Sequence, residues 1–113
     1  MNTDIINDIK EVSKILSDDK RIIMLKLMSK YMMCTCHFVE IFESSQPLIS
    51  QNIKKMKDLG IIVEENVAQW TYYKVNKKSK YYDILSKILK EVPKMKEYLE
   101  IVKDNRCEVR KID

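Results

Sequence analysis

A single glycine, Gly60, serves all 113 residues, and only two prolines, Pro47 and Pro93, join it. These two residue types build most tight turns, so a chain this poor in both holds few loops and must be largely helical. The length allows one domain around one modest core. Charged residues make up 34% of the chain and the net charge is +4. That balance suits a nucleic-acid partner, but it describes many solvated surfaces equally well.

Periodicity sorts the chain into elements. Ile5, Ile6, Ile9, Val12 and Leu16 recur at helical spacing and predict a first helix within 1–16. Ser17 or Asp18 offers a side-chain oxygen to cap a second helix, about Asp19 to Lys30, which turns Ile22, Ile23, Leu25 and Met28 inward. An apolar stretch, Tyr31 to Cys36, leads into a third helix carrying Phe38, Val39, Ile41 and Phe42. Ser45 is then a suitable N-cap, and Pro47 fits a first helical turn, where its missing N–H has no partner to lose. The fourth helix runs to Leu59, and Gly60 stands where a left-handed residue closes a helix.

Ile61 to Glu65 and Gln69 to Val75 are β-branched and aromatic around a short polar connection, which predicts one hairpin. Beyond Lys78, the residues Tyr81, Leu85, Ile88, Val92, Met95, Leu99 and Val102 alternate steps of four and three. That is an a/d seam of the kind that pairs helices. It keeps its register across Pro93, so the expectation is one helix over 79–104, kinked at the proline. Residues 105–113, with Cys107, end in charges and are expected as a mobile tail.

The order is helix, helix, helix–turn–helix over 36–59, hairpin over 61–75, long helix. It predicts a mainly α fold with one β-hairpin, a winged helix-turn-helix in a single domain. There the second helix of the motif enters the major groove, and the hairpin reaches the backbone or the minor groove. The fourth helix has two distinct faces, with Ile49, Ile53 and Met56 inward and Gln46, Ser50, Gln51 and Lys54 opposite. Glutamine bonds adenine bidentately, serine reaches bases or phosphates, and Lys54 and Lys55 neutralise phosphates. Ser45, Pro47, Asn52 and Gln69 complete the expected DNA-contacting set. A polar-faced surface helix would carry the same face, and it is the order of elements that favours DNA.

Leu16-Ser17-Asp18-Asp19-Lys20-Arg21-Ile22-Ile23-Met24-Leu25 resembles the second-helix signature of the ArsR/SmtB metal-sensing repressors. The run from Ser45 to Lys54, followed by Leu59-Gly60-Ile61-Ile62, is similar to their recognition helix and strand entry, and Gln69 to Tyr73 resembles the returning strand of their wing. The resemblance covers roughly Leu16 to Val75. It implies a homodimer through the first and last helices, with Ile5, Ile9, Tyr81, Leu85, Ile88, Val92, Met95 and Leu99 at the interface. It also implies repression of a double-stranded operator with two-fold symmetry, needing no cofactor and relieved by an inducer. Two departures are Gln69, near which the family often has Arg, and Lys55, at a commonly apolar position.

Met33-Cys34-Thr35-Cys36-His37-Phe38 resembles the Cys-Val-Cys motif that begins the third helix in the arsenic-, cadmium- and lead-sensing branch. By that resemblance the inducer is a thiophilic metal or metalloid, As(III) first, since thiolates are soft ligands. On a regular helix, residues two apart point about 200° away from each other. Both sulfurs face one ion only if this end of the helix is irregular or unwinds. The third ligand stays open between Cys107, from either subunit, and His37. The last helix contains no His, so the Asp/His sites of zinc and nickel sensors are not expected. Two alternatives use the same thiols differently: as small buried apolar residues, or as a redox or persulfide sensor.

Other classes fare worse. With one His, no Gly-rich phosphate loop and no paired carboxylates in a recognisable setting, an enzyme is not expected. The polar start, the odd cysteine count and the lack of a long apolar run predict a cytoplasmic protein without a membrane segment. A helix-mediated interaction module without DNA binding remains a distinct alternative, carried by the seam of the last helix. Met24, Met28, Met32 and Met33 are expected as adaptable core packing rather than ligands.

Overall fold

A computed structural model describes residues 3–112. Met1, Asn2 and Asp113, which the expected first helix and tail include, lie outside the described residues. The chain begins with α1 (Thr3–Ile15), α2 (Asp19–Met28), a short strand β1 (Tyr31–Met32), α3 (Thr35–Phe42) and α4 (Gln46–Asp58). The hairpin β2 (Ile62–Val67) and β3 (Trp70–Val75) follows, then α5 (Tyr82–Lys90), α6 (Glu97–Ile101) and β4 (Arg110–Lys111). The architecture is the winged helix-turn-helix expected from the sequence.

Local chemistry sets the helix ends. The Asp18 carboxylate accepts from the amides of Lys20 and Arg21 and starts α2, and the Ser45 hydroxyl accepts from the Leu48 amide and starts α4. At the other end of α4, Gly60 takes φ +80°. Its amide bonds the Lys57 carbonyl while the Ile61 amide bonds that of Met56. This reciprocal pair closes the last turn and turns the chain into β2.

The core gathers Met24, Leu25 and Met28 of α2, Phe38 and Ile41 of α3, and Ile49, Ile53 and Met56 of α4 under the base of the hairpin. Leu85 and Leu89 of α5 close it. Each such side chain contributes about 1.5–3 kcal/mol on burial. The inward face of α2 is Met24, Leu25, Leu27 and Met28, whereas Ile22 and Ile23, expected inside, are half-buried. Arg21, on the same helix, is buried. It donates to the Ile15 carbonyl at 2.8 Å and to Asn52 Oδ1 at 2.9 Å, tying the end of α1 to α4.

Three expectations for the C-terminal third are corrected. First, Pro93 does not kink one helix over 79–104: α5 ends at Lys90, and α6 begins only at Glu97. A residue at 93 would donate its amide to the Leu89 carbonyl, and proline has no such proton. That carbonyl is instead taken by the Val92 amide and by Lys26 Nζ at 2.8 Å.

Second, Tyr81 and Leu85, assigned to a seam between chains, are 4% and 1% exposed within the chain's own core. Val92, Met95 and Leu99 also pack against that core, so of the seam only Ile88 is left exposed. A regular apolar stripe says that a helix packs, not on what.

Third, the expected mobile tail is docked. β4 pairs antiparallel with β1, Tyr31 opposite Lys111 and Met32 opposite Arg110, and the Ile112 amide bonds the Lys30 carbonyl. β1 leaves a strand edge between α2 and α3, and the tail satisfies its backbone groups.

Candidate nucleic-acid interface and thiol site

The turn between α3 and α4 aims the start of α4 outward. Ile49, Ile53 and Met56 are buried, while Gln46, Pro47, Gln51, Lys54 and Lys55 are exposed and Ser50 is half-buried. Ser45 is exposed at the cap, and Gln69 is exposed at the hairpin tip, beside Ala68 at φ +55°. Gln46 Nε2 donates to Ser50 Oγ at 2.8 Å, holding both on one edge of the face. Lys54 pairs with Asp58 at 2.7 Å. Both partners are well exposed, and such a pair is worth about 0.3–0.5 kcal/mol, too little to hold the lysine from a phosphate.

Asn52 departs from the expected set, because its carbonyl oxygen is committed to buried Arg21 on the flank toward α2. Leu48 was not singled out by its sequence, yet it is 53% exposed one turn from Gln51.

The thiols lie at the opposite edge of the motif. Cys34 is the N-cap of α3 with extended backbone, φ −94° and ψ 162°, so it stands outside the helix that contains Cys36. The geometric objection to two sulfurs two residues apart on one helix therefore does not apply. The tail adds Cys107, buried completely, and the ligand atoms of Cys34, Cys36, His37 and Cys107 all lie within 4.8 Å of one another. Cys34 and Cys107 meet sulfur to sulfur across a Cα separation of 7.2 Å. That span exceeds the usual 4.4–6.8 Å of a bridged pair, so the two are read as neighbouring thiols. Burial pushes the Cys36 thiol up, against the lowering effect of nearby amide donors and Asn105.

His37 holds the cluster together. Its Nδ1 accepts from the Cys34 amide at 2.9 Å, and its Nε2 faces the Cys107 carbonyl at 2.5 Å. Burial pulls its pKa below the ordinary value, which keeps the ring neutral. A neutral ring that accepts at Nδ1 donates at Nε2, so both nitrogens are used. Of the two candidates for a third ligand, Cys107 presents its sulfur to that of Cys34, whereas both His37 nitrogens are taken up by the backbone.

Four further residues complete the site. Asn105 accepts from the Cys107 amide and donates to Glu40 at 3.0 Å, fixing the tail's turn on α3. Tyr72 of β3 packs against Cys34 and Cys107 and donates to the Glu108 carbonyl at 2.6 Å. No signal in the sequence links positions so far apart. One residue before Cys34, Met33 bridges Tyr73 of the hairpin by two backbone hydrogen bonds of 2.8 and 3.1 Å. Thr35, between the two cysteines, lines a cleft with Ser50, Lys54 and Tyr73. The sulfur cluster therefore touches the hairpin through Tyr72, and Thr35 beside it shares a cleft with α4.

Residues 18–63 match the family described as "Bacterial regulatory protein, arsR family". The chain is 38% identical over 64 residues to the arsenical resistance operon repressor of Bacillus subtilis, covering 56% of this chain and 61% of that protein. It is 33% identical over 66 residues to the arsenic resistance transcriptional regulator ArsR1 of Pseudomonas putida, covering 58% and 52%. The chain thus spans between half and two thirds of these two relatives. An uncharacterized HTH-type transcriptional regulator of Methanocaldococcus jannaschii is 30% identical over 64 residues, 56% of this chain and 72% of that protein.

Among solved structures, a predicted DNA-binding transcriptional regulator from E. coli shares the fold, with a TM-score of 0.57 and 20% identity over 78% of this chain and 96% of that one. The family match over residues 18–63 contains the helix-turn-helix, and the family is one of regulators rather than enzymes. The chain belongs to the ArsR family of bacterial regulatory proteins.

Proposed function

We propose that this chain represses transcription from an operator and is released from it by a thiophilic metalloid, As(III), held by Cys34, Cys36 and Cys107. The observation that carries this reading is the packing of three sulfurs, with His37, inside 4.8 Å at the leading edge of the helix-turn-helix. Three soft donors in a buried pocket suit As(III), and two relatives are named for arsenical or arsenic resistance. Arsenite offers three hydroxyls, so three thiols replace them with release of three waters. Cys107 comes from the same chain, closing the site without a partner's residue.

Gln46, Ser50 and Gln51 read base edges, Leu48 meets a thymine methyl, and Lys54 and Lys55 neutralise phosphates. Gln69 brings the wing to the backbone. Cys34 adjoins the Met33–Tyr73 bridge, so rearranging the sulfurs around the ligand displaces the wing relative to α4. The ligand thereby favours a state in which helix and wing no longer fit one duplex. Ile5, Ile6 and Ile9 of α1, with Ile88 and Ile101, form the exposed apolar set that pairs two copies across a two-fold operator.

The test is duplex binding to the chain's own promoter, with As(III), Cd(II), Zn(II) and a persulfide donor added in turn. Release by As(III), abolished in Cys34→Ser, Cys36→Ser and Cys107→Ser while DNA affinity stays intact, is the expected result. Binding that ignores As(III) sinks the inducer assignment, and absence of salt-dependent duplex binding sinks the repressor itself. The sulfur contact between Cys34 and Cys107 favours one second reading: the backbone closes their 7.2 Å Cα separation as the persulfide donor oxidises the pair to a disulfide, and the donor takes up both thiol protons and leaves as a thiol and sulfide. Release by that donor and not by As(III) selects it.

A further inference from the structure

Behind the hairpin lies a second concavity. Lys74 lines it, while its neighbour Tyr73 lines the cleft against α4. Successive strand residues face opposite ways, so this cleft is on the side of the hairpin away from the groove-facing helix. Its volume is about 670 Å³, within the range of about 300–1,000 Å³ usual for small-molecule sites. The walls are apolar: Val63, Val75, Tyr82, Leu89 and Ile112.

Around them stand Lys26, Lys30, Lys74, Lys77, Lys78 and Lys90, and among the described residues no acidic side chain lines the space. Lys74 is paired with Glu65 at 3.1 Å, and Lys26 donates to the Leu89 carbonyl. Lys30, Lys77, Lys78 and Lys90 have no carboxylate partner among the described residues. Burial, then the like charges of Lys30 and Lys94, pull the Lys26 pKa down, as expected where cations crowd without counter-charge.

Helix ends account for little of this. The C-termini of α2 and α5 converge here, and each carries about half a negative charge. Two such ends answer about one lysine of the six, and Lys26 already serves α5. An organic anion would complement the remaining positive charge, and its apolar body would complement the walls.

We propose that this cleft binds an amphiphilic carboxylate, a small organic acid whose apolar body fills the space between Val63, Tyr82 and Leu89 while its head is held by Lys26, Lys30 and Lys90. An occupant would lie against Ile112, whose amide donates to the Lys30 carbonyl five residues beyond Cys107, and so would touch the segment that follows the third thiol. The site itself is independent of the metalloid reading, because it shares none of the sulfur ligands.

The experiment is calorimetric titration of the full chain with decanoate, decanol and inorganic phosphate, at low and raised salt. Decanoate should bind saturably, at least about tenfold tighter than decanol or phosphate, and more weakly at raised salt. The double variant Lys30→Gln/Lys90→Gln changes two exposed side chains. It should lose about tenfold or more in decanoate affinity with an unchanged Tm. Equal affinity for decanol and decanoate would overturn the proposal, since the lysines would then play no part. So would failure of decanoate to bind while the double variant loses duplex affinity, which would make the cluster a phosphate-backbone surface. Val63→Glu, placing a negative charge in the wall, should also abolish decanoate binding, and unimpaired binding there counts against this location.

Discussion

At the scale of single residues, His37 shows how one side chain links a site assembled from distant segments. It sits third from the cap of α3, where Glu or Gln commonly reaches back to the cap amide, and its Nδ1 makes that bond. Its Nε2 spans seventy residues to Cys107. Replacing His37 with Ala strands a buried amide and a buried carbonyl and opens a cavity, so a loss of about 2–4 kcal/mol is expected in urea denaturation. The same variant should expose Cys107 to a thiol reagent, and unchanged labelling would refute the role given to His37. Arg21 makes the complementary point: a charged side chain is buried in the fold, because the last carbonyls of α1 and the Asn52 side-chain oxygen give it partners.

At the scale of elements, α4 is built to present a surface. Gln51→Ala should relax operator preference with little change in salt dependence. Lys54→Ala should weaken binding to every duplex and reduce the salt slope by about one. Indistinguishable behaviour of the two variants in salt-titrated binding would remove the distinction between base-reading and phosphate-holding positions. The end of the same helix offers a test of backbone alone. A Cβ at Gly60 meets nothing within 4 Å, so Gly60→Ala carries only the cost of a left-handed L-residue, about 1–2 kcal/mol, readable as a lowered Tm with DNA affinity retained.

At the scale of the whole molecule, the proposed dimer rests on apolar residues that remain outside the core. Ile9 is 49% exposed and Ile88 39%, on helices at the two ends of the chain. Under the proposed dimer, Ile9→Asp and Ile88→Asp should each give a monomer by sedimentation and lose affinity for a two-fold operator while keeping the fold. A dimer that survives both substitutions would place the interface elsewhere. Among the described residues no helix is long and apolar enough to cross a membrane.

What was legible in the sequence is what local physics fixes. A cap at Ser17 or Asp18, the cap at Ser45, the left-handed stop at Gly60, the inward face of Ile49, Ile53 and Met56, and the hairpin were all readable, because each depends on neighbours within a few residues. Scarcity of glycine and proline predicted a helical chain with few turns, and the fold follows it. What the last third does was decided by tertiary structure. The apolar stripe through Tyr81 and Leu85 has the same period whether it meets a second chain or its own core, and only the packed molecule distinguishes them. Likewise the charged tail reads as mobile until β1 supplies an edge for it. That single pairing carries Cys107 to Cys34 and Cys36 and turns a two-cysteine motif into a three-thiol site.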